Sequence, residues 1–173
     1  MSEDQLAVLL AEREILQIMG AFCRALDRFD AEAYRSVWHD DSTLELPGEK
    51  PVNALGLTDF FTRDHADTVF YSHQFTNPTT RIAGDRAASE SYLYALMRRS
   101  GESAGQWVDT HNVGARFLDR WSRRNGRWAI DHRRILPGAR WTRTVTDGED
   151  CRLSRRDRTD PSYEPFRWLD SFS

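Results

Sequence analysis

The chain between residues 69 and 136 holds four long stretches rich in β-branched and aromatic residues, and no other feature constrains the fold as strongly. Two of the connections between them are short and polar, AGDR at residues 83–86 and RRNGRW at residues 123–128. The third is the longer, Gly- and Ser-rich SGESAGQ. Asn125 and Gly126 both tolerate positive φ, so this pair predicts a tight hairpin between apolar strands. The region as a whole predicts an antiparallel meander.

The residues before this meander are mostly predicted to be helical. Apolar side chains recur at helical spacing over about residues 4–27, and two shorter helices are predicted at about residues 31–38 and 57–67. The second of these has Thr58 as its predicted N-cap, and STLELP at residues 42–47 predicts a short strand. Helices followed by a hairpin-connected sheet predict an α+β fold, with the helices on one face of the sheet.

The composition is that of a soluble globular protein, with 173 residues, 39% hydrophobic and 29% charged. A net charge of −3 gives no reason to expect a nucleic acid or an anionic membrane as partner. The N-terminus carries acids where a signal peptide needs positive charge, and no apolar run is long enough to span a membrane. We therefore expect a cytoplasmic protein. Cys23 and Cys151 form no CxxC pair, which argues against a zinc ribbon or a dithiol motif.

Asp27 is an unusual residue for its position in the first helix. It lies four residues after Cys23 and eight after Met19, so it continues a stripe that is otherwise apolar. Asp30, three residues later, has an ordinary explanation as the N-cap of the second helix. The structural alternatives for Asp27 are a cap of the turn that follows or a salt bridge to an arginine.

His73 alternates with Tyr71 and Phe75 on one face of the first long strand. A single histidine in such an apolar setting is more often a packed core residue than a catalytic one. A carboxylate bound to its Nδ1 hydrogen would change this interpretation, because it fixes the tautomer that leaves Nε2 free to accept a proton.

The order of the elements and three segments resemble the SnoaL-like and nuclear transport factor 2-like (NTF2-like) superfamily. The segments are ALDRFDAEAYRSVWHDD after the first helix, YSHQFTNPTTRI in the first long strand and FLDRWSRRNGRWAIDHRR across the last hairpin. The resemblance implies a cystatin-like cone, in which a curved antiparallel sheet packs on N-terminal helices. It assigns residues 1–137 to one domain. Residues 138–173 would be a C-terminal extension that packs on the domain or on a neighbouring subunit.

The resemblance is nearest to the scytalone dehydratase and hexachlorocyclohexane dehydrochlorinase type, and it implies catalytic residues. Such members pair an aspartate at the end of the first helix with a histidine on the first long strand, here Asp27 and His73. An arginine past the Asn-Gly turn matches Arg133, for which an internal ion pair with Asp131 is the alternative. The lysine that accompanies the pair in the dehydrochlorinase has no counterpart here. The tyrosine of some dehydratases is replaced by Phe22 or Leu26.

Other polar and aromatic side chains are expected to line the substrate pocket. His111 shares a strand face with Asp109 and is a candidate proton donor, although spacing implies no third ligand, so we expect no metal and no cofactor. For the tyrosines the alternative is ordinary core packing. The predicted substrate-binding residues are His111, Phe22, Tyr71, Tyr92 and Tyr94.

These features favour a cofactor-independent lyase or isomerase, with dehydration the preferred reaction, acting on a small apolar cyclic substrate. His73, oriented by Asp27, would abstract a proton, while Arg133, His111 or a tyrosine stabilises an oxygen. Two hypotheses from other classes remain open. The chain could be the non-catalytic small subunit of an aromatic-ring dioxygenase, or a SnoaL-like protein that binds a ligand without turnover.

The third long stretch, residues 106–121, predicts an oligomer. Strict alternation places Trp107, Val113, Phe117 and Trp121 on one face and Val108 and Leu118 on the other. A strand that is wet on one side should alternate more cleanly. One face would then meet the helices and the other a partner subunit or the C-terminal extension, and we expect a homotrimer or a homodimer.

Overall fold

A computed structural model describes residues 2–63, 67–146 and 154–172, and these residues form helices packed on one face of a large sheet. The α-helices are α1 (Glu3–Asp27), α2 (Ala31–Ser36), α3 (Thr58–Arg63) and α4 (Glu164–Asp170). The strands are β1 (Trp38–Glu45), β2 (Val52–Asn53), β3 (Thr68–Ala83), β4 (Arg86–Ser100), β5 (Gln106–Arg124), β6 (Arg127–Leu136) and β7 (Ala139–Thr146). The α+β prediction is confirmed.

Helix α1 begins at a capping box and ends where the chain turns into α2. The Gln5 N–H donates to Ser2 Oγ at 3.2 Å, and the Ser2 N–H donates to Gln5 Oε1 at 2.9 Å. The predicted cap of α2 is confirmed, since the Ala33 N–H donates to Asp30 Oδ1 at 3.0 Å. Between the two helices, Phe29 has a φ of 51°, a left-handed conformation that turns the chain sharply.

Helix α2 ends earlier than the sequence predicted. Helix α2 stops at Ser36, and Trp38 already begins β1. Helix α3 starts at Thr58 and is described as far as Arg63, while residues 64–66 lie outside the described ranges. Helix boundaries are the least certain part of such a prediction, because the terminal turns lack half of their hydrogen bonds.

The strand order is β2-β1-β6-β5-β4-β3, and β7 pairs with β5 beyond the end of β6. Neighbouring strands are antiparallel except β1 and β6, which are parallel. The predicted hairpin is present between β5 and β6, with φ values of 53° at Asn125 and 79° at Gly126. Among the described strands, β3 has a neighbour on one side only, so it forms an edge of the sheet.

A bulge at Gly114 reverses the alternation of β5. Gly114 has a φ of 72°, and the pairing register shifts there between Leu93 and Tyr94 of β4. Before the bulge, Asn112 lies opposite Ala95, on the sheet face that packs against α1; after it, Phe117 lies on that face. We call this side the inner face and the opposite side the outer face.

The bulge changes the faces that strict alternation assigned to the apolar residues of β5. Trp107 and Val113 lie on the outer face together with Leu118, whereas Phe117 and Trp121 are buried on the inner face. The core between α1 and the sheet is aromatic, with Phe22 as its centre: its ring lies 5.7–5.9 Å from those of Tyr34, Trp38 and Phe117.

The C-terminal extension is partly built into the domain. Its first residues form β7, so the sheet includes residues that the sequence analysis placed in the extension. Residues 154–163 pack against the C-terminal end of α1, while Cys151 lies outside the described ranges. None of the described helices is both long enough and apolar enough to cross a membrane.

Candidate functional site

Asp27 and His73 form a direct pair at the edge of the sheet. Asp27 Oδ1 lies 2.7 Å from His73 Nδ1, and the backbone N–H of His73 donates to the two carboxylate oxygens at 3.0 and 3.2 Å. The carboxylate can reach this amide because β3 is an edge strand, whose outward amides have no partner strand. An ionised carboxylate only accepts hydrogen bonds, so Nδ1 carries the hydrogen and Nε2 is left to accept a proton.

The pair lines a cleft of about 400 Å³ between α1 and β3. Only 6% of the His73 side chain and 15% of the Asp27 side chain are exposed. Low exposure strengthens the hydrogen bonds between the two groups. The residues lining the cleft are Gly20, Cys23, Arg24, Asp27, Arg28, His73, Gln74 and Phe75.

Cys23 lies beside the pair but does not suit a nucleophile. Its burial raises the pKa of the thiol to about 12, so the side chain is neutral at physiological pH. Tyr71 packs on the imidazole of His73, and the two ring centroids are 4.2 Å apart. Burial also raises the pKa of Tyr71, so the phenol keeps its proton. Tyr71, which was predicted to bind substrate, thus packs on His73 but is not among the residues that line the cleft.

Arg133 is fully buried on the inner face, and its partner is Asp119. Arg133 Nε and Nη2 each donate to a carboxylate oxygen of Asp119 at 2.7 Å. The guanidinium lies 4.2 Å from the centroid of Phe22 and 4.1 Å from that of Phe117, and Nη1 has no hydrogen-bond partner among the described residues. Phe22 thus packs on Arg133 in the core and does not line the cleft.

The alternative partner for Arg133 was wrong because β6 is bulged at Asp131. His132 lies opposite Arg120 and Ile130 lies opposite Trp121, so Asp131 is the extra residue between them. Asp131 instead accepts hydrogen bonds from Ser122 and Arg124. The bulge places Arg133 on the inner face. Cys23 lies between Arg133 and the pair, since the charges of Arg133 and of Asp27 both act on the pKa of its thiol.

Three predicted pocket residues lie on the outer face, away from His73. Tyr92, Tyr94 and Leu96 alternate with the inner residues of β4, and His111 lies opposite Leu96. His111 Nδ1 is 3.1 Å from the Tyr94 hydroxyl, and its ring stacks on Trp141 at 5.2 Å. The expectation that Tyr92, Tyr94 and His111 share a pocket with His73 is therefore wrong. Tyr92 and Tyr94 occupy positions of β4 that alternate with its inner residues, and the bulge at Gly114 places His111 on the outer face.

The structure places three further polar side chains in line with the pair or in contact with it, and the sequence analysis did not single them out. Asn112 and Arg140 continue the row of His73 and Ala95 across the inner face of the sheet. The glycine inside β5 was a signal for Asn112, since an isolated glycine in a strand often marks a bulge. Arg156 binds the C-terminal end of α1 from a segment far along the chain, and no local pattern indicated that contact.

A larger cleft of about 620 Å³ lies on the outer face and lacks comparable chemistry. Arginines line it, but Arg124 pairs with Asp41 and Asp131, and Arg86 pairs with Asp131, in ion pairs that water reaches. Such pairs are typical of a solvated surface. Within residues 2–63, 67–146 and 154–172, no three His, Cys, Asp or Glu side chains group as a metal site.

Comparison with known proteins identifies a domain family and several similar folds. The family model described as a SnoaL-like domain matches residues 7–134, and no curated protein sequence matches the chain. A hexachlorocyclohexane dehydrochlorinase (LinA type 2) is similar in structure at 15% identity and a TM-score of 0.66, over 85% of this chain and 97% of that one.

Two structures from Novosphingobium aromaticivorans are also similar. A provisionally named scytalone dehydratase has 15% identity and a TM-score of 0.66, over 82% of this chain and 91% of that one. A provisionally named aromatic ring hydroxylase has 23% identity and a TM-score of 0.62, over 75% of this chain and 91% of that one. At these identities the likeness concerns the fold.

Proposed function

Because the chain belongs to the SnoaL-like domain family, we propose that it is a cofactor-independent lyase or isomerase of the dehydratase type. The observation that carries this proposal is the 2.7 Å contact between Asp27 Oδ1 and His73 Nδ1 at the border of an open cleft. Similar folds include a dehydrochlorinase and a provisionally named dehydratase, both of which are lyases by name.

In the proposed reaction, His73 Nε2 removes a proton from a carbon next to a carbonyl or a leaving group. Asp27 holds the ring in the required tautomer and stabilises the imidazolium that forms, as a carboxylate does in other histidine bases. The protonated ring can then return its proton to the departing hydroxide, or to another carbon in an isomerisation. Both reactions balance without a cofactor.

For Arg133 we propose the stabilisation of negative charge on a substrate oxygen. Its Nη1 is buried and has no hydrogen-bond partner among the described residues, and a buried unpaired donor is costly unless something uses it. The rings of Phe22 and Phe117 close on the guanidinium, so a substrate must enter between α1 and the sheet to reach it. That requirement favours a small, flat and largely apolar molecule.

The proposal is tested with a panel of hydroxy-ketones and sterols and the variants Asp27→Asn and His73→Ala. We expect wild-type turnover of at least one compound. Each variant should lower kcat/KM by roughly 100- to 10,000-fold, the usual contribution of a positioned base. Turnover that survives both changes undiminished contradicts the mechanism.

The two rival functions make different predictions. A dioxygenase small subunit needs no oriented base, and the fully formed pair of Asp27 and His73 argues against that role, although one similar fold is provisionally named an aromatic ring hydroxylase. A binding protein without turnover would hold an apolar ring compound in the cleft and return it unchanged. Calorimetric binding without product, in the same panel, would favour this second rival.

A further inference from the structure

Arg156 closes the C-terminal end of α1 from a segment outside the predicted domain. Its Nη2 donates to the Leu26 carbonyl at 3.0 Å, and its Nε donates to the Asp27 carbonyl at 3.4 Å. The last carbonyls of a helix have no partner within the helix and carry the negative end of its dipole, so a cation is favourable there. One of the two residues held in this way is the aspartate of the candidate pair.

The same guanidinium packs on two aromatic rings. Its central carbon lies 3.3 Å from the centroid of Phe29 and 5.1 Å from that of Tyr71. Phe29 adopts the left-handed conformation described above, which is rare for a bulky residue and needs support from its surroundings. Tyr71 contacts the imidazole of His73. Arg156 therefore binds the backbone of Asp27 directly and packs on the ring that contacts His73.

Arg156 is well buried, with 9% of its surface exposed, and it keeps its charge. Burial lowers the pKa of the guanidinium to about 10, while Tyr71 and Asp27 oppose that shift, so the group is protonated at neutral pH. A buried cation with fixed donors is a rigid constraint, because the planar fork of arginine binds two acceptors in one orientation.

The segment that carries Arg156 is fastened to the helix ends by further contacts. Arg28 Nε lies 3.2 Å from Asp160 Oδ1, and Arg24 Nη1 donates to Ser162 Oγ at 3.0 Å. Arg158 Nη2 also donates to Glu32 Oε2 at 2.8 Å, but this pair is exposed to solvent, and such pairs contribute little to holding a segment in place. The segment that carries Arg156 is thus attached to the helix ends by contacts that do not involve Asp27 or His73, and Arg156 is in a position to constrain Asp27.

We propose that Arg156 is a positioning residue of the Asp27–His73 pair, and that the C-terminal segment is therefore part of the functional site. By binding the Leu26 and Asp27 carbonyls, it fixes the end of α1 at the point where the Asp27 carboxylate leaves the helix. By packing on Tyr71, it limits the orientations of the ring next to His73. The inference depends on the proposed function only for calling the pair catalytic.

The test is proton NMR of the full chain with labelled histidine, at neutral pH. The hydrogen between His73 Nδ1 and Asp27 should give a downfield signal that is absent from His73→Ala. In Arg156→Gln we expect this proton to exchange with water roughly tenfold faster or more, because hydrogen bonds from a charged group are lost. Arg156→Lys should lie between the two, since lysine keeps the charge but not the fork.

The matched control is Arg158→Gln, which removes a charge two residues away without touching α1. In this variant the hydrogen between His73 Nδ1 and Asp27 should exchange at the wild-type rate. An unchanged proton in Arg156→Gln overturns the proposal. If that variant loses its helical circular dichroism, Arg156→Lys decides instead, and an unchanged exchange rate there overturns the proposal equally.

Turnover separates this inference from the proposed function. On an accepted substrate, Arg156→Gln should lower kcat while KM stays near its wild-type value, and Arg158→Gln should change neither. A protein whose proton responds to Arg156→Gln, but which turns over no compound of the panel, contradicts the proposed function and supports the inference. An active protein whose proton ignores Arg156→Gln contradicts the inference alone.

Discussion

Each face of the sheet carries a histidine with a polar partner and an aromatic neighbour. On the inner face, His73 Nδ1 lies 2.7 Å from the Asp27 carboxylate, and Tyr71 packs on its ring. On the outer face, His111 Nδ1 lies 3.1 Å from the Tyr94 hydroxyl and its ring stacks on Trp141. The difference between the two lies in the partner: a carboxylate can stabilise an imidazolium, whereas a neutral phenol cannot do so to the same degree.

The surroundings of the two histidines differ as well. His73 borders an open cleft between α1 and the sheet. His111 lies among exposed side chains of the open face, and its Nε2 is buried without a hydrogen-bond partner in the described part of the chain. A histidine on a strand is thus informative about catalysis only together with the face that it occupies.

The largest expected effect is on kcat/KM, when the hydrogen-bonding partner of each histidine is replaced by a residue of nearly the same shape. Asp27→Asn should lower kcat/KM by roughly 100- to 10,000-fold, because the amide no longer favours the required tautomer. Tyr94→Phe should leave turnover near the wild-type rate, since it removes only a bond on the outer face. Steady-state kinetics on one accepted substrate measures both. Equal losses in the two variants would show that the faces do not differ in function.

The next effect concerns the arginine–aspartate pair that each face contains. Arg133 and Asp119 are both fully buried, so Arg133→Met should cost about 3–5 kcal/mol of unfolding free energy by leaving the carboxylate unpaired. Arg98→Met on the outer face should cost less, about 1–3 kcal/mol, because Arg143 lies 3.9 Å from the same Asp109 carboxylate. Urea titration followed by fluorescence gives both values.

A double variant tests whether the unpaired charge causes the larger cost. Replacing Arg133 and Asp119 together by Met and Leu should recover most of the lost stability, since well-packed apolar groups can replace a buried ion pair. A double variant as unstable as Arg133→Met alone would mean that the packing of the guanidinium on Phe22 and Phe117 matters more than its charge.

A substitution on the outer face is expected to change the oligomeric state of the protein. Tyr92 and Trp141 are 44% and 47% exposed there, and we propose that a second copy of the chain covers them in a homotrimer or homodimer. Light scattering should give a multiple of the 20.1 kDa chain mass. Trp141→Glu should shift the protein towards the monomer, whereas Arg158→Gln should not. A monomeric wild type at micromolar concentration contradicts the proposal.

The smallest effect is a pH dependence of stability at Asp109. The hydrogen bonds from Arg98 hold the pKa of the Asp109 carboxyl below its usual value of 3.8. A pKa that is lower in the folded state adds stability that is complete above the unfolded value and is lost as pH falls through the native value. The difference in unfolding free energy between wild type and Asp109→Asn should therefore shrink below about pH 4. Parallel curves from pH 7 to pH 2 would contradict this origin.

Several features of the fold could be predicted because they depend on short-range patterns. The capping role of Asp30 and the hairpin at Asn125 and Gly126 follow from local backbone chemistry, and both are present. The order of helices and strands follows from hydrophobic periodicity, which predicted the α+β arrangement. The contact between Asp27 and His73 was predicted through the family resemblance, since nothing local relates residues that are 46 positions apart.

The sequence by itself therefore determined the elements, their turns and the class of fold, whereas the tertiary structure decided which side chains meet. A single bulged residue at Gly114 moved His111 to the outer face and Asn112 to the inner one, because alternation along a strand holds only while every residue is paired. A second bulge at Asp131 gave Arg133 its partner Asp119. Arg156 reached Asp27 across 129 positions because burial of its guanidinium depends on acceptors and rings that only the folded chain assembles.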